Sequence, residues 1–209
     1  MKLFPNPKTL IFSKEKMNSQ KISKVTSSFD EHFNNLLYQM FEVNQKEGIP
    51  LMIEKSDDIT NYEGYKLKIE KEVITIIAKQ PNGAFYGLLT LRDILNSDNQ
   101  LCLEIEDYPD LAVRGVMLDI SRSKVPTLDT LKKLVVMFAT LRYNHLELYI
   151  EGFSFEYQSF KHLLSDNNYL CLQDYLELEK FAQEYYIDFV PNQNGFGHMS
   201  DWLAQDVYK

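Results

Sequence analysis

Four side chains in the second half of the sequence are of types that do chemistry: Arg114, Glu151, Asn194 and His198. His198 closes the run IDFVPNQNGFGHM at residues 187–199, where Gly195 and Gly197 let the backbone turn tightly beside it. An imidazole changes charge near neutral pH, so a histidine fixed at the end of a strand is suited to holding or moving a proton. Without a partner it is an ordinary surface residue. Glu151 closes the run NHLELYIE and offers a carboxylate. Arg114 carries a planar fork that donates several hydrogen bonds at once, suited to hydroxyl groups or to an ion pair with Asp119 or a carboxylate on the next strand. Asn194 keeps hydrogen-bonding capacity but has neither charge nor a proton to transfer.

The elements around these residues alternate. Residues 113–120 are nearly all apolar, as a strand covered on both faces is. Pro126 and Thr127 then open a helix with Leu128, Leu131, Leu134, Val135, Phe138 and Leu141 on one stripe. Residues 144–151 alternate, with Leu146, Leu148 and Ile150 on one side and His145, Glu147, Tyr149 and Glu151 on the other. A second helix spans 172–185, and residues 187–190 form a third strand that Pro191 is expected to end. Strands alternating with helices mean a parallel sheet, and its polar residues gather where strands end, the face on which such folds do chemistry. The aromatic residues Phe153, Phe155, Tyr157 and Phe160 are read either as a platform for a ring or as packing under the following loop.

The upstream half has a different rhythm. A short strand is expected at 8–13, a helix over 28–43, strands at 51–54, 65–70 and 73–78 with a hairpin around 70–72, and a turn at 81–83. A helix over 84–95 and a strand at 101–105 follow, and Pro109 biases its predecessor to extended geometry, marking a linker. These readings give a small α+β domain at 1–107 and a second domain at 108–209.

Composition narrows the function classes. A 44% hydrophobic content with 13 Tyr and 13 Phe supplies a substantial core. Against 30 acidic residues the 22 Lys and Arg leave a net charge of −8, with no basic cluster for a phosphate backbone, so nucleic acid is not an expected partner. Cys102 and Cys171 form no CxxC pair, and His32, His145 and His162 have no metal-ligand spacing, so neither a metal nor a cofactor is implied. No stretch reads as a secretory signal or a membrane span, so a cytoplasmic protein with no membrane partner is expected.

The run DYPDLAVRGVMLDISR, the helix after it and RYNHLELYIE resemble the opening of the catalytic barrel of glycoside hydrolase family 20, the β-N-acetylhexosaminidases, and VPNQNGFGHM resembles that family's third-strand motif ending in Gly-His. The segments YEGYKLKIE and GAFYGLLTLRDIL are similar to the end of the α+β domain that precedes the barrel. The resemblance implies an α/β architecture of a small α+β domain followed by the first three βα units of a (β/α)8 barrel. It implies retaining hydrolysis of terminal N-acetylhexosamine from a glycan, with the substrate's own acetamido oxygen attacking. The Asp-Glu pair that orients the acetamide and protonates the leaving oxygen follows the fourth strand in that family, beyond Lys209. The chain by itself is therefore expected to be inactive, and three strands are expected to leave an open sheet edge prone to self-association. By the same resemblance Arg114 would hold sugar hydroxyls in a pocket shared with His198, which would sit beside the acid/base, while Glu151 falls near an aspartate that partners this histidine. Asn194 and Asn192 stand where the commoner motif has carboxylates. A related acetamido-sugar hydrolase of another barrel family and a non-catalytic carbohydrate-binding or assembly module are the alternatives.

Overall fold

A computed structural model describes residues 2–43, 46–122, 124–164 and 168–208. Contacts divide the chain into two units, Met1–Ala112 and Val113–Lys209.

In the first unit the elements run β1 (Thr9–Lys16), β2 (Ile22–Ser27), α1 (Glu31–Met40), β3 (Ile49–Lys55), β4 (Tyr65–Ile69), β5 (Ile74–Ala78), α2 (Pro81–Leu95) and β6 (Leu101–Asp107). Six strands make one sheet in the order β1-β6-β4-β5-β3-β2. The hairpin expected around residues 70–72 joins β4 to β5 antiparallel, while β3 lies parallel to β5 and β2 parallel to β3. One side of the sheet is apolar: Leu51, Ile53, Leu67, Ile69, Ile74 and Ile76 are each at most 1% exposed, and α1 and α2 supply Phe33, Leu37, Leu88 and Leu91 to the same core. The other side carries a charged ladder in which Lys66 pairs with Glu106, and Lys68 with Glu104 and Glu70. The antiparallel strands β4 and β6 thus show the one-sided pattern of a sheet with a solvated face.

Two boundaries differ from the sequence reading. α1 begins at Glu31 rather than near residue 28, because the Asp30 carboxylate caps it by accepting from the Phe33 N–H at 2.9 Å. α2 begins at Pro81, so residues 81–83 are its first turn and not a separate one; proline suits that position, where its missing N–H has no helical partner to lose.

The second unit is strand and helix in alternation: β7 (Gly115–Asp119), α3 (Leu128–Thr140), β8 (His145–Ile150), a 3-10 turn (Gln158–Leu163), α4 (Leu172–Glu184), β9 (Asp188–Gln193) and a short α5 (Ser200–Leu203). The strands are parallel in the order β7-β8-β9. The α/β class read from the sequence is the class observed. Leu146, Leu148 and Ile150 of β8 are buried with Leu131, Val135 and Phe138 of α3 and Leu178 and Ala182 of α4. α3 and α4 are each capped by the preceding residue, the Thr127 hydroxyl accepting from Thr130 N–H and the Cys171 thiol from Asp174 N–H. Pro191 does not end the third strand but sits inside it, paired in register with Leu148. β9 is an edge of the three-stranded sheet, where a missing N–H facing away from the neighbour breaks no ladder bond. No helix among the described residues is long and apolar enough to cross a membrane.

Candidate functional site

Strand alternation alone puts His145, Glu147 and Tyr149 on the side of β8 that faces away from the helices, and the two residues after the strand extend that line to Glu151. The lower part of this face is occupied by a closed group. His145 Nε2 lies 2.8 Å from Glu147 Oε1, and Asn192 Nδ2 donates to Glu147 Oε2 at 2.7 Å. Those two contacts, His145 first, hold the Glu147 carboxyl below the usual carboxylate range.

Where the strands end, Glu151 is the hub. The Arg122 guanidinium grips it with Nε 3.1 Å from Oε1 and Nη2 3.3 Å from Oε2, a fork-to-fork pair. Tyr149 Oη donates to Oε2 at 2.9 Å, and His198 Nδ1 stands 3.3 Å from that same oxygen. Arg122 is itself anchored by Asp119 at 3.2 Å, and Asp119 also accepts from the Ser121 N–H at 2.8 Å. Ser121 Oγ accepts from the Glu151 N–H at 2.7 Å, so the ends of β7 and β8 are tied through both side chain and backbone. Arg122 is the chief reason that the Glu151 carboxyl is held below its ordinary 4.5, with Tyr149 and the nearby His198 adding to it against partial burial.

Asn194, just past β9, donates to Tyr149 Oη at 2.6 Å and accepts from the Gly197 N–H at 3.0 Å. His198 follows with a backbone φ of +53°, a left-handed conformation that a non-glycine residue adopts only when its surroundings hold it there. Glu151 and His198 line a cavity of about 440 Å³ together with Ser121, Lys124, Ser154 and Asp201.

Of the four residues singled out in the sequence, the structure brings Glu151, Asn194 and His198 together and leaves Arg114 apart. Arg114 precedes β7, and its Nε donates to the Arg142 carbonyl at 2.7 Å, at the end where the parallel strands begin. Arg114 is not among the residues that line the cavity with Glu151 and His198. Tyr149 and Ser121 were not singled out, although Tyr149 could have been found: it lies two residues before Glu151, on the same side of the same strand. The aromatic group is packed rather than presented. Phe153, Tyr157 and Phe160 surround Trp202 of α5 with ring centroids 4.7, 6.0 and 5.1 Å away, and Phe155 is 9% exposed. No set of three or more His, Cys, Asp or Glu among the described residues is placed to hold a metal ion.

The network is pH-sensitive with a definite sign. Glu151 has a folded-state pKa below its unfolded one, so its contribution is complete above the ordinary 4.5 and is lost as the pH falls through the lower folded value. The side-chain carboxyl 13C shift of Glu151 is expected to titrate below 4.5, with exchange protection of the Gly197 amide lost over the same range. A midpoint at or above 4.5 would mean that Arg122 does not hold the carboxylate in solution.

Residues 1–108 match the family model described as glycosyl hydrolase family 20, domain 2. The chain is 33% identical over 99 residues to a β-hexosaminidase of Porphyromonas gingivalis, 42% of this chain and 13% of that protein. It is 27% identical over 158 residues to β-hexosaminidase subunit A2 of Dictyostelium discoideum, 67% of this chain and 28% of that protein. Among solved structures, the β-N-acetylhexosaminidase from Bacteroides fragilis superposes with a TM-score of 0.79 at 20% identity, over 96% of this chain and 46% of that one. The N-acetyl-β-hexosaminidase of Streptomyces plicatus in complex with Thio-NAglucal gives 0.81 at 21%, over 97% and 47%. At these identities the likeness to solved structures is one of fold, and the chain spans less than half the length of each of these four proteins.

Proposed function

Since a family model covers residues 1–108 of 209, the chain belongs to glycosyl hydrolase family 20, and from that premise we propose that it is the first part of a β-N-acetylhexosaminidase that removes terminal N-acetylhexosamine from glycans. In this reading the β7-β8-β9 sheet is the opening arc of a (β/α)8 barrel whose further strands lie outside these 209 residues. Hydrolysis is retaining and substrate-assisted: the acetamido oxygen of the sugar attacks its own anomeric carbon, and carboxylates carried by later strands orient the acetamide and protonate the leaving oxygen. His198 and Glu151 are auxiliary, setting charge and proton position beside that acid, and Asn194 fixes the loop that carries His198. Arg114 belongs to the strand-start end, where it ties β7 to the turn before β8. The edges of the three-stranded sheet would be covered by those further strands, or by self-association where they are absent.

The observation that carries this reading is the convergence of Glu151, Asn194 and His198 at the carboxyl end of a parallel sheet, around the cavity that Glu151 and His198 line. Parallel α/β sheets bind ligands at that end because the strand-to-helix loops and the open ends of the strands converge there.

The 209-residue chain is expected to release no chromophore from a p-nitrophenyl N-acetyl-β-glucosaminide, whereas the full natural product of the gene turns it over. Measurable turnover by the 209-residue chain would overturn the assignment of the proton donor to later strands. If the full product is also inert, the hydrolase reading falls and a non-catalytic carbohydrate-binding module replaces it.

A further inference from the structure

The hydrogen bonds around Glu151 have a direction, and the direction is fixed at one end by a backbone group. The Gly197 N–H donates to Asn194 Oδ1 at 3.0 Å. A backbone amide only donates, so the oxygen of the carboxamide is committed there and its NH2 faces Tyr149 Oη, 2.6 Å away. Having accepted that bond, the phenol turns its own proton to Glu151 Oε2 at 2.9 Å, an oxygen of an ionised carboxylate that only accepts. The chain of donors therefore runs one way, from the loop backbone through Asn194 and Tyr149 to the carboxylate. The same Oε2 stands 3.3 Å from His198 Nδ1. Arg122 lies over the Tyr149 ring with its guanidinium carbon 5.5 Å from the centroid, and keeps the carboxylate ionised from the other side. The other charged groups near this path are Asp119, paired with Arg122, and Asp201 and Lys124 on the cavity wall.

We propose that Tyr149 and Asn194 are positioning residues that set this one-way polarity and so hold the neutral His198 ring in a single tautomer, with its proton on Nδ1 toward Glu151 and the lone pair of Nε2 free to receive a proton. A carboxylate that only accepts stabilises a proton on the facing nitrogen, and the phenol proton keeps Oε2 in place to do so. An ionised aspartate at 194 has no proton to give Tyr149. The phenol proton is then drawn toward position 194, and Glu151 loses a donor and gains a neighbouring negative charge. Phenylalanine at 149 removes the link altogether.

The proposal rests on reading this cavity as the active site, but its test needs no substrate. A failure of that reading shows in the turnover assay, and a failure of this one shows in the imidazole nitrogens. With 15N-labelled histidine in the 209-residue chain at about pH 8, the neutral form of the His198 ring is expected to show one tautomer, Nδ1–H. In Tyr149→Phe and in Asn194→Asp, Oε2 loses the phenol proton that holds it opposite Nδ1, and the ratio of Nδ1–H to Nε2–H is expected to fall roughly tenfold, the size of effect that losing the charge-assisted His198–Glu151 hydrogen bond gives. The Glu151 carboxyl midpoint is expected to rise in both. A wild-type His198 carrying its proton on Nε2 would overturn the proposal without any variant. So would two folded variants whose nitrogen shifts and carboxyl midpoint match the wild type.

Discussion

Gly83→Val is expected to destabilise the first unit by roughly 3 kcal/mol or more, enough to remove a large share of the stability of a domain of this size. Gly83 lies in the first turn of α2, and a Cβ there would sit 2.5 Å from the Gly64 carbonyl oxygen and 3.2 Å from the Glu63 carbonyl carbon. Both obstacles are backbone, so neither swings aside as the tip of a long side chain would. Relief requires α2 to move off the loop before β4, and α2 carries Leu88, Leu91 and Ile94 into the core. Urea unfolding followed by circular dichroism reads the effect as a lower midpoint. Gly195→Ala is the matched control, because its Cβ would meet nothing within 4 Å, and its unfolding free energy should stay within about 0.5 kcal/mol of the wild type. If the two variants unfold alike, the close approach of α2 to the Gly64 backbone is not present in solution.

The second large effect is on turnover by the full natural product. His198→Ala is expected to lower kcat/KM about 10²-fold to 10³-fold, the range in which a group that assists proton transfer acts. The loss should fall on kcat rather than KM if the imidazole acts on the developing charge and not on sugar binding. His198→Gly separates the ring from the backbone. It should lose as much activity while unfolding no earlier than the wild type, because glycine takes a φ of +53° without strain. A His198→Ala product with near-normal kcat/KM would remove the imidazole from the chemistry.

Much of this was legible in the sequence because it is local. The i, i+2 alternation of β8 puts Glu147, Tyr149 and Glu151 on one side, and the apolar stripes of α3 and α4 fix which side the helices cover. Family-like motifs marked Glu151, Asn194 and His198, and these are gathered because their strands are parallel and in register, Tyr149 opposite Asn192 and Ile150 opposite Gln193. Arg114 shows the limit: a motif gives residue identity, but not which end of a strand a long side chain serves. Pairings between distant segments were equally hidden. ISKVTS at β2 has too few apolar residues to announce a strand, and becomes one by lying parallel beside β3. The starts of α1 and α2 were missed for a different reason, since a capping carboxylate and a proline at the first helical position decide them, not hydrophobic periodicity.

The pairing of β1 with β6 has a consequence for biosynthesis. The Lys8 N–H bonds to Asp107, 99 residues further along, and Thr9 lies opposite Glu106. A ribosome adding about 5–20 residues per second would therefore leave Thr9–Lys16 without its neighbour for roughly 5–20 s, with the backbone groups that pair with β6 open to other partners. Slow codons between the two strands would lengthen that window, and a nascent chain stalled before residue 101 would hold a sheet of β4, β5, β3 and β2 that lacks both β6 and β1.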